Sequence, residues 1–244
     1  MTKVCLIGNS HVAALKLGWP QVQARFPATD LVFFASAGLS ITFEVQDGKL
    51  VCPDPRIRKR LALTSGGEGD VAPVYDVYVL CGLELSSMRA FRAYAAKRRA
   101  EGAKVGRTVD DFVAAMKPAL RDTIAIEVAA KLRTLTDAPI FAIATPLPAQ
   151  ERHVELWDRL KSLGLEATVA QSYDIACSDV AGEQGATFLP QPAETVGENG
   201  LTTRNRFYLL RPDQVAAEKS LHTHMNPDYG AIVLRDALEK IGAL

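Results

Sequence analysis

Two positions far apart in the chain carry residue types from which nucleophilic catalysis can be built. Ser10 stands in Gly8-Asn9-Ser10-His11, directly after the apolar run Lys3 to Ile7 and at the start of a helical pattern. Strand, turn and helix in that order put the Ser10 hydroxyl at a helix N-terminus, where backbone N–H groups and the helix dipole favour developing negative charge. His224 stands in His222-Thr223-His224-Met225-Asn226-Pro227, just ahead of the last helical pattern. An imidazole there can act as general base to a serine at the end of the first strand. Each position also has a plainer reading. Ser10 or Asn9 caps the helix, and the two histidines are a surface pair. Alternatively, His222 and His224 share one strand face as part of a metal site with no evident third ligand. Nucleotide binding has little support, because the turn lacks the second and third glycines of GxGxxG and the GK[ST] of the phosphate loop. No cofactor is expected.

The elements that must position these residues follow from periodicity. Short apolar runs at 3–7, 31–35, 74–81 and 139–144, with a weaker one at 187–189, have the length of buried parallel strands. Helical patterns separate them: 11–17 closing at Gly18 and Pro20, 54–63, 87–99, 109–135 with a break or kink at Pro118, 152–163, 165–181, and 226–241 at the end. Residues 41–51 predict a hairpin turning on Asp47-Gly48, and Thr64 to Pro73, with three glycines, predicts a flexible loop. Alternating strands and helices without a repeat or a biased linker predict one α/β domain over 1–244, a parallel sheet covered by helices on both faces, with an insertion at about 41–73. Ligands of such sheets sit at the carboxyl ends of the strands. That rule points to Gly8 to His11, Ala37 to Ser40, Gly82 to Ser86 and the loop holding His222 and His224.

In order and placement these segments resemble the blocks of the SGNH hydrolases, the GDSL-type esterases and lipases. Gly8-Asn9-Ser10-His11 is similar to the first block, whose Ser is the nucleophile. Ala37-Gly38-Leu39-Ser40 is similar to the second, whose Gly donates a backbone N–H to the oxyanion. His224-Met225-Asn226-Pro227-Asp228-Tyr229-Gly230 is similar to the last, with its catalytic His. The resemblance implies a flavodoxin-like three-layer fold, Ser10 and His224 as catalytic pair, and an oxyanion hole from the N–H groups of Ser10 and Gly38. Asn9, His11, Glu84, His222 and Asn226 would line or orient the site. Two positions depart from the family pattern. Glu84 stands where an Asn side chain is expected to donate to the oxyanion, and an ionised carboxylate cannot donate. Leu221 stands where an Asp is expected to orient the His, leaving a Ser-His dyad, a substitute acid such as Asp213, Glu218 or Asp228, or a site without catalysis.

The 244 residues hold 28 Lys+Arg against 28 Asp+Glu, 48% hydrophobic and 23% charged residues, the profile of a soluble globular protein. A neutral balance supplies no field to attract nucleic acid, and the clusters Arg58-Lys59-Arg60 and Lys97-Arg98-Arg99 are short enough to be solvated helix faces. Neither a signal-type start nor a membrane-length apolar run is present, so the sequence predicts a cytoplasmic protein without a membrane partner. The four scattered cysteines predict buried, reduced thiols. Three functions follow: an esterase acting on a small acyl ester such as an O-acetylated carbohydrate, a non-catalytic domain binding a carbohydrate or acyl ligand, and an O-acyltransferase using the same residues.

Overall fold

The computed structural model describes residues 1–37, 41–102, 106–209 and 224–242. The first half runs β1 (Thr2–Gly8), α1 (Val12–Val22), β2 (Thr29–Ala35), β3 (Glu44–Gln46), β4 (Lys49–Val51), α2 (Pro55–Ser65) and β5 (Val77–Cys81). The second half runs α3 (Ser87–Glu101), α4 (Val109–Arg121), α5 (Ile124–Arg133), β6 (Ile140–Ile143), α6 (Val154–Ser162), α7 (Glu166–Gly182), β7 (Ala186–Leu189) and α8 (Pro227–Lys240).

β1, β2, β5, β6 and β7 form one sheet in the order β2-β1-β5-β6-β7, and every adjacent pair is parallel. Successive strand residues serve opposite faces. Val4 and Leu6 pack with α1 and α8, whereas Cys5 and Ile7 pack with the layer that contains α2, α4, α5 and α7. The expected three-layer α/β architecture is therefore present. From β1 the chain goes first to β2 on one side and later to β5 on the other, so the carboxyl end of β1 is the topological switch point. An open sheet leaves its ligand crevice there, and Ser10 follows that strand end.

Three local expectations are corrected. α1 continues through Gly18 and Pro20 to Val22, because α8 lies against it and tertiary contact outweighs the propensity of either residue. Pro118 stays inside α4, and the break comes at Asp122 and Thr123, where the Asp122 N–H donates to the Pro118 carbonyl at 3.3 Å. Residues 74–76 stay outside β5. The 41–51 segment forms the antiparallel β3–β4 hairpin, and its turn has φ +50° at Asp47 and +72° at Gly48, the left-handed pair that a type I′ turn needs. The loop after α2 is tied down by two Leu50–Val71 backbone bonds of 2.9 Å and an Arg58–Asp70 ion pair. Phe43, Leu50, Leu61 and Val71 are buried in the main core, so the 41–73 segment is part of the packed body. Among the described residues, no helix is long and apolar enough to cross a membrane.

α1 and α8 touch backbone to backbone. A methyl built at Gly18 would stand 2.6 Å from the Gly230 carbonyl carbon and the Pro227 oxygen, and one built at Gly230 would overlap the Ala14 carbonyl. Only glycine permits such an approach. Gly230→Ala is accordingly expected to cost about 1–3 kcal/mol or more, as overpacking does. Gly182→Ala, at the end of α7 with open space around it, should be neutral or slightly stabilising. Urea unfolding of the two variants beside wild type checks the difference, and equal stabilities would remove the close-contact argument.

Candidate active site

Ser10 lies in a turn closed by two backbone bonds, Val12 N–H to the Asn9 carbonyl at 3.1 Å and Ala13 N–H to the Ser10 carbonyl at 3.2 Å. The side chain that takes up an orphan N–H is that of Asn9, whose Oδ1 accepts from the His11 N–H at 3.2 Å. The N-cap position of α1 falls on His11, and among the described residues the Ser10 hydroxyl makes no bond to the helix, so the capping reading does not apply to it. Asn9 is only 4% exposed and rests on Gly82, where a methyl would stand 2.6 Å from Asn9 Oδ1. Gly82 also has φ +76°, so this position suits glycine for both space and conformation.

His224 arrives from the other end of the chain. Its carbonyl accepts the Leu209 N–H at 2.9 Å, and the Asn226 N–H donates to the Phe207 carbonyl at 2.8 Å. Asn226 then caps α8, its Oδ1 accepting from the Tyr229 N–H at 3.0 Å while its Nδ2 donates to the Arg206 carbonyl at 2.8 Å. Asn226 thus braces the histidine loop. Ser10 and His224 border one open cleft of about 440 Å³, with Val12, Ala13, Lys16 and Ala37 among its walls. Among the described residues they make no hydrogen bond to each other, an arrangement common before substrate tightens a catalytic pair.

His11 meets His224 edge to face, with ring centroids 6.1 Å apart and planes at 88°. Burial, with a smaller contribution from the charge of His224, pulls the His11 imidazole down to about 4, and among the described residues its Nδ1 has no partner. His11 is therefore neutral at ordinary pH. Among the described residues no carboxylate forms an ion pair with His224. Asp228 sits on the α1–α8 surface instead, accepting from Gln21 Nε2 at 3.3 Å. Gly38, Asp213, Glu218, Leu221 and His222 lie outside the described residues.

Glu84, expected to line the site, is not among the walls of the Ser10 cleft. Its carboxylate pairs with Arg89 of α3 at 3.0 Å, and Arg89 also binds Asp122 at 3.0 Å and donates from Nε to the Ala119 carbonyl at 2.8 Å. A guanidinium five residues along the chain removes the carboxylate that would oppose an oxyanion. Two residues, read from sequence only as part of a solvated helix face and of a loop, stand at the site. Thr64 of α2 borders the cleft and fixes the end of β2, its Oγ1 accepting from the Ala35 N–H at 3.0 Å. Arg60 donates to the Ala37 carbonyl at 3.2 Å. No spacing signal links positions 23 and 29 residues apart.

All four cysteines are free and buried. Burial pushes the thiols of Cys5 and Cys177 up and that of Cys81 to about 12, so none of these offers a thiolate nucleophile. Among the described residues no three His, Cys, Asp or Glu side chains gather as a metal site.

No protein-family model matches the chain, and no curated protein matches it. Several solved structures align along most of its length. A protein from Slackia heliotrinireducens, classed provisionally as an SGNH hydrolase, shares 13% identity over 96% of both chains with a TM-score of 0.42. The periplasmic domain of a lipopolysaccharide acetyltransferase from Salmonella ser. Paratyphi A shares 11% identity over 98% of this chain and 83% of its own, with a TM-score of 0.45. The lipase Lip_vut3 from a goat rumen metagenome shares 12% over 84% of this chain and 91% of its own, with a TM-score of 0.35. Likenesses at this level carry no functional argument, and the SGNH resemblance rests on this chain's own residues at the ends of its parallel strands.

Proposed function

We propose that the protein is a serine acyl-ester hydrolase of the SGNH type, with Ser10 as nucleophile and His224 as general base. The observation that carries this reading is the meeting of residues from opposite ends of the chain. A serine hydroxyl at the switch point, without a hydrogen bond among the described residues, shares a cleft with an exposed imidazole held by a capped helix. Ser10 Oγ would attack the ester carbonyl while His224 takes its proton. The tetrahedral oxyanion would be met by N–H groups at the start of α1, with the Gly38 N–H as the second donor implied by the family resemblance. Collapse of that intermediate transfers the proton from His224 to the departing alkoxide and leaves an acyl-serine. Water deprotonated by His224 then releases the acid. The neutral His11 adds no second positive charge beside the imidazolium formed on His224. Apolar walls from Val12, Ala13, Leu17 and Ala35 suit a small acyl group.

A second reading, a domain that binds an acyl or carbohydrate ligand without turning it over, has one observation in its favour. Among the described residues, no carboxylate partners His224. Transfer of the acyl group to a sugar hydroxyl instead of water would use the same residues.

A fluorophosphonate probe, applied to wild type, Ser10→Ala and His224→Ala with adducts located by mass spectrometry, separates catalysis from simple binding. Labelling is expected at Ser10 and should depend on His224, and Ser10→Ala should lower ester turnover at least about a thousandfold. Folded wild-type protein that takes up no probe would favour the binding domain.

His11 gives a separate pH prediction. Its native value near 4 lies below the unfolded value of 6.5, so between these limits the unfolded chain binds more protons and stability falls as pH falls. The contribution is complete above pH 6.5 and is on the order of 3 kcal/mol at most. In His11→Asn the unfolding free energy, followed by denaturant titration from pH 7 to 4.5, should fall less steeply than in wild type. Parallel curves would contradict a buried neutral His11.

A further inference from the structure

The hydrolase reading leaves the tetrahedral oxyanion short of one donor. The position after β5 from which a side-chain amide is expected holds Glu84, a carboxylate that only accepts and is paired with Arg89 at 3.0 Å. The opening of α1 has little to put in its place. There the N–H of His11 goes to Asn9 Oδ1 at 3.2 Å, that of Val12 to the Asn9 carbonyl at 3.1 Å and that of Ala13 to the Ser10 carbonyl at 3.2 Å. Of the N–H groups from Ser10 to Ala13, that of Ser10 alone has no partner among the described residues.

One side-chain donor stands beside it. Asn9 is 4% exposed and borders the Ser10 cleft. The His11 N–H can bond only the oxygen end of the Asn9 amide, so that contact fixes which end is Nδ2. Among the described residues Nδ2 donates to nothing, and unlike the enclosed Nδ1 of His11 it is open to water. Amide N–H groups on so buried a residue are ordinarily paired, and these are left free at the wall of the cleft that holds Ser10. Nδ2 also lies 3.1 Å from where a methyl on Gly82 would stand. Gly82 opens the turn that carries Glu84, so the Asn9 amide sits between the Ser10 turn and the turn from which the missing donor is expected. We propose that Asn9 is the side-chain oxyanion donor of this site, its Nδ2 joining the Ser10 N–H. This proposal rests on the hydrolase reading. As Ser10 Oγ bonds to the ester carbon, the carbonyl π pair moves onto its oxygen and the Ser10 proton moves to His224. The two N–H groups are then worth most at the charged oxygen, in the transition state.

Asn9 also braces the turn through His11, and the two roles are separable. Asn9→Asp keeps an oxygen for the His11 N–H but loses the donor, and Asn9→Ala loses the donor without adding charge. Both are compared with wild type and Ser10→Ala in hydrolysis of p-nitrophenyl acetate and in inhibition by trifluoroacetophenone and acetophenone. Ser10 converts the fluoroketone into a hemiketal oxyanion, whereas acetophenone stays trigonal. Both Asn9 variants should lose about 10² to 10³ in kcat with KM within about threefold of wild type. They should lose a similar factor for the fluoroketone and none for acetophenone. Agreement between the charged and the neutral variant assigns the loss to the missing N–H. Urea unfolding should place Asn9→Asp close to wild type, and this variant carries the test where Asn9→Ala does not fold. Folded Asn9→Asp that keeps kcat within about threefold would overturn the donor role and leave Ser10 catalysis standing. So would equal losses for the two ketones, or a loss expressed in KM, either of which marks a brace. Wild type without turnover that depends on Ser10 would overturn the hydrolase reading itself, and the donor with it.

Discussion

The contact between α1 and α8 is the constraint on which the site depends. Ser10 opens the first of these helices and His224 precedes the second, and Gly18 and Gly230 let the two backbones approach more closely than any side chain would allow. The contact is reinforced by Arg25 with Glu239 at 2.9 Å and by Gln21 with Asp228. Exposed pairs of this kind add little energy, so the geometry rests on the glycines and on the apolar layer beneath them. Val12, Leu15, Val233 and Leu234 bury that layer against β1 and β5. The Ser10 turn and the His224 loop are therefore held against the same sheet face by the same packing.

This dependence explains what was legible in the sequence. Strands β1, β2, β5 and β6 announce themselves because parallel strands buried on both faces read as unbroken apolar runs, and the switch point follows from their order. Ser10, Asn9 and Asn226 are visible because turn and cap chemistry is local. The persistence of α1 past Pro20 is not visible, since its cause lies more than 200 residues away on α8. Thr64 and Arg60 are silent for the same reason: they act on β2 through hydrogen bonds that no periodicity encodes. Glu84 is the instructive case. Its residue type alone points to repulsion at an oxyanion, and only the position of Arg89 shows where the carboxylate is used.

Among the described residues, the surroundings of His224 also differ from a carboxylate-backed triad. In a triad the buried acid orients the imidazole and stabilises its charged form. Here His224 is exposed, its loop is held by backbone bonds at Leu209 and Asn226, and its ring meets that of His11 in a T-shaped contact. Burial keeps His11 neutral at ordinary pH, so a group usually treated as a switch near neutral pH brings no charge to the ring of His224.

The turn after β5 shows how the fold sustains a strained segment beside this cleft. Gly82, Leu83 and Glu84 have φ of +76°, +46° and +66°, and for the two residues with side chains this conformation costs about 1 kcal/mol or more each. Leu83 and Leu85 are buried at 1% and 0% exposure, which anchors the turn from below. Backbone bonds from Gly82 to Ile143 at 2.9 Å, from Ala125 to Leu83 at 2.9 Å and from Thr145 to Leu85 at 2.7 Å fix it to β6 and α5. Arg89 closes the arrangement by holding Glu84 outward. Gly82 is also the surface on which Asn9 rests, with Asn9 Oδ1 2.6 Å from where a methyl would stand. The strain is thus tied to the position of Asn9, and through the Asn9–His11 bond to the turn that presents Ser10.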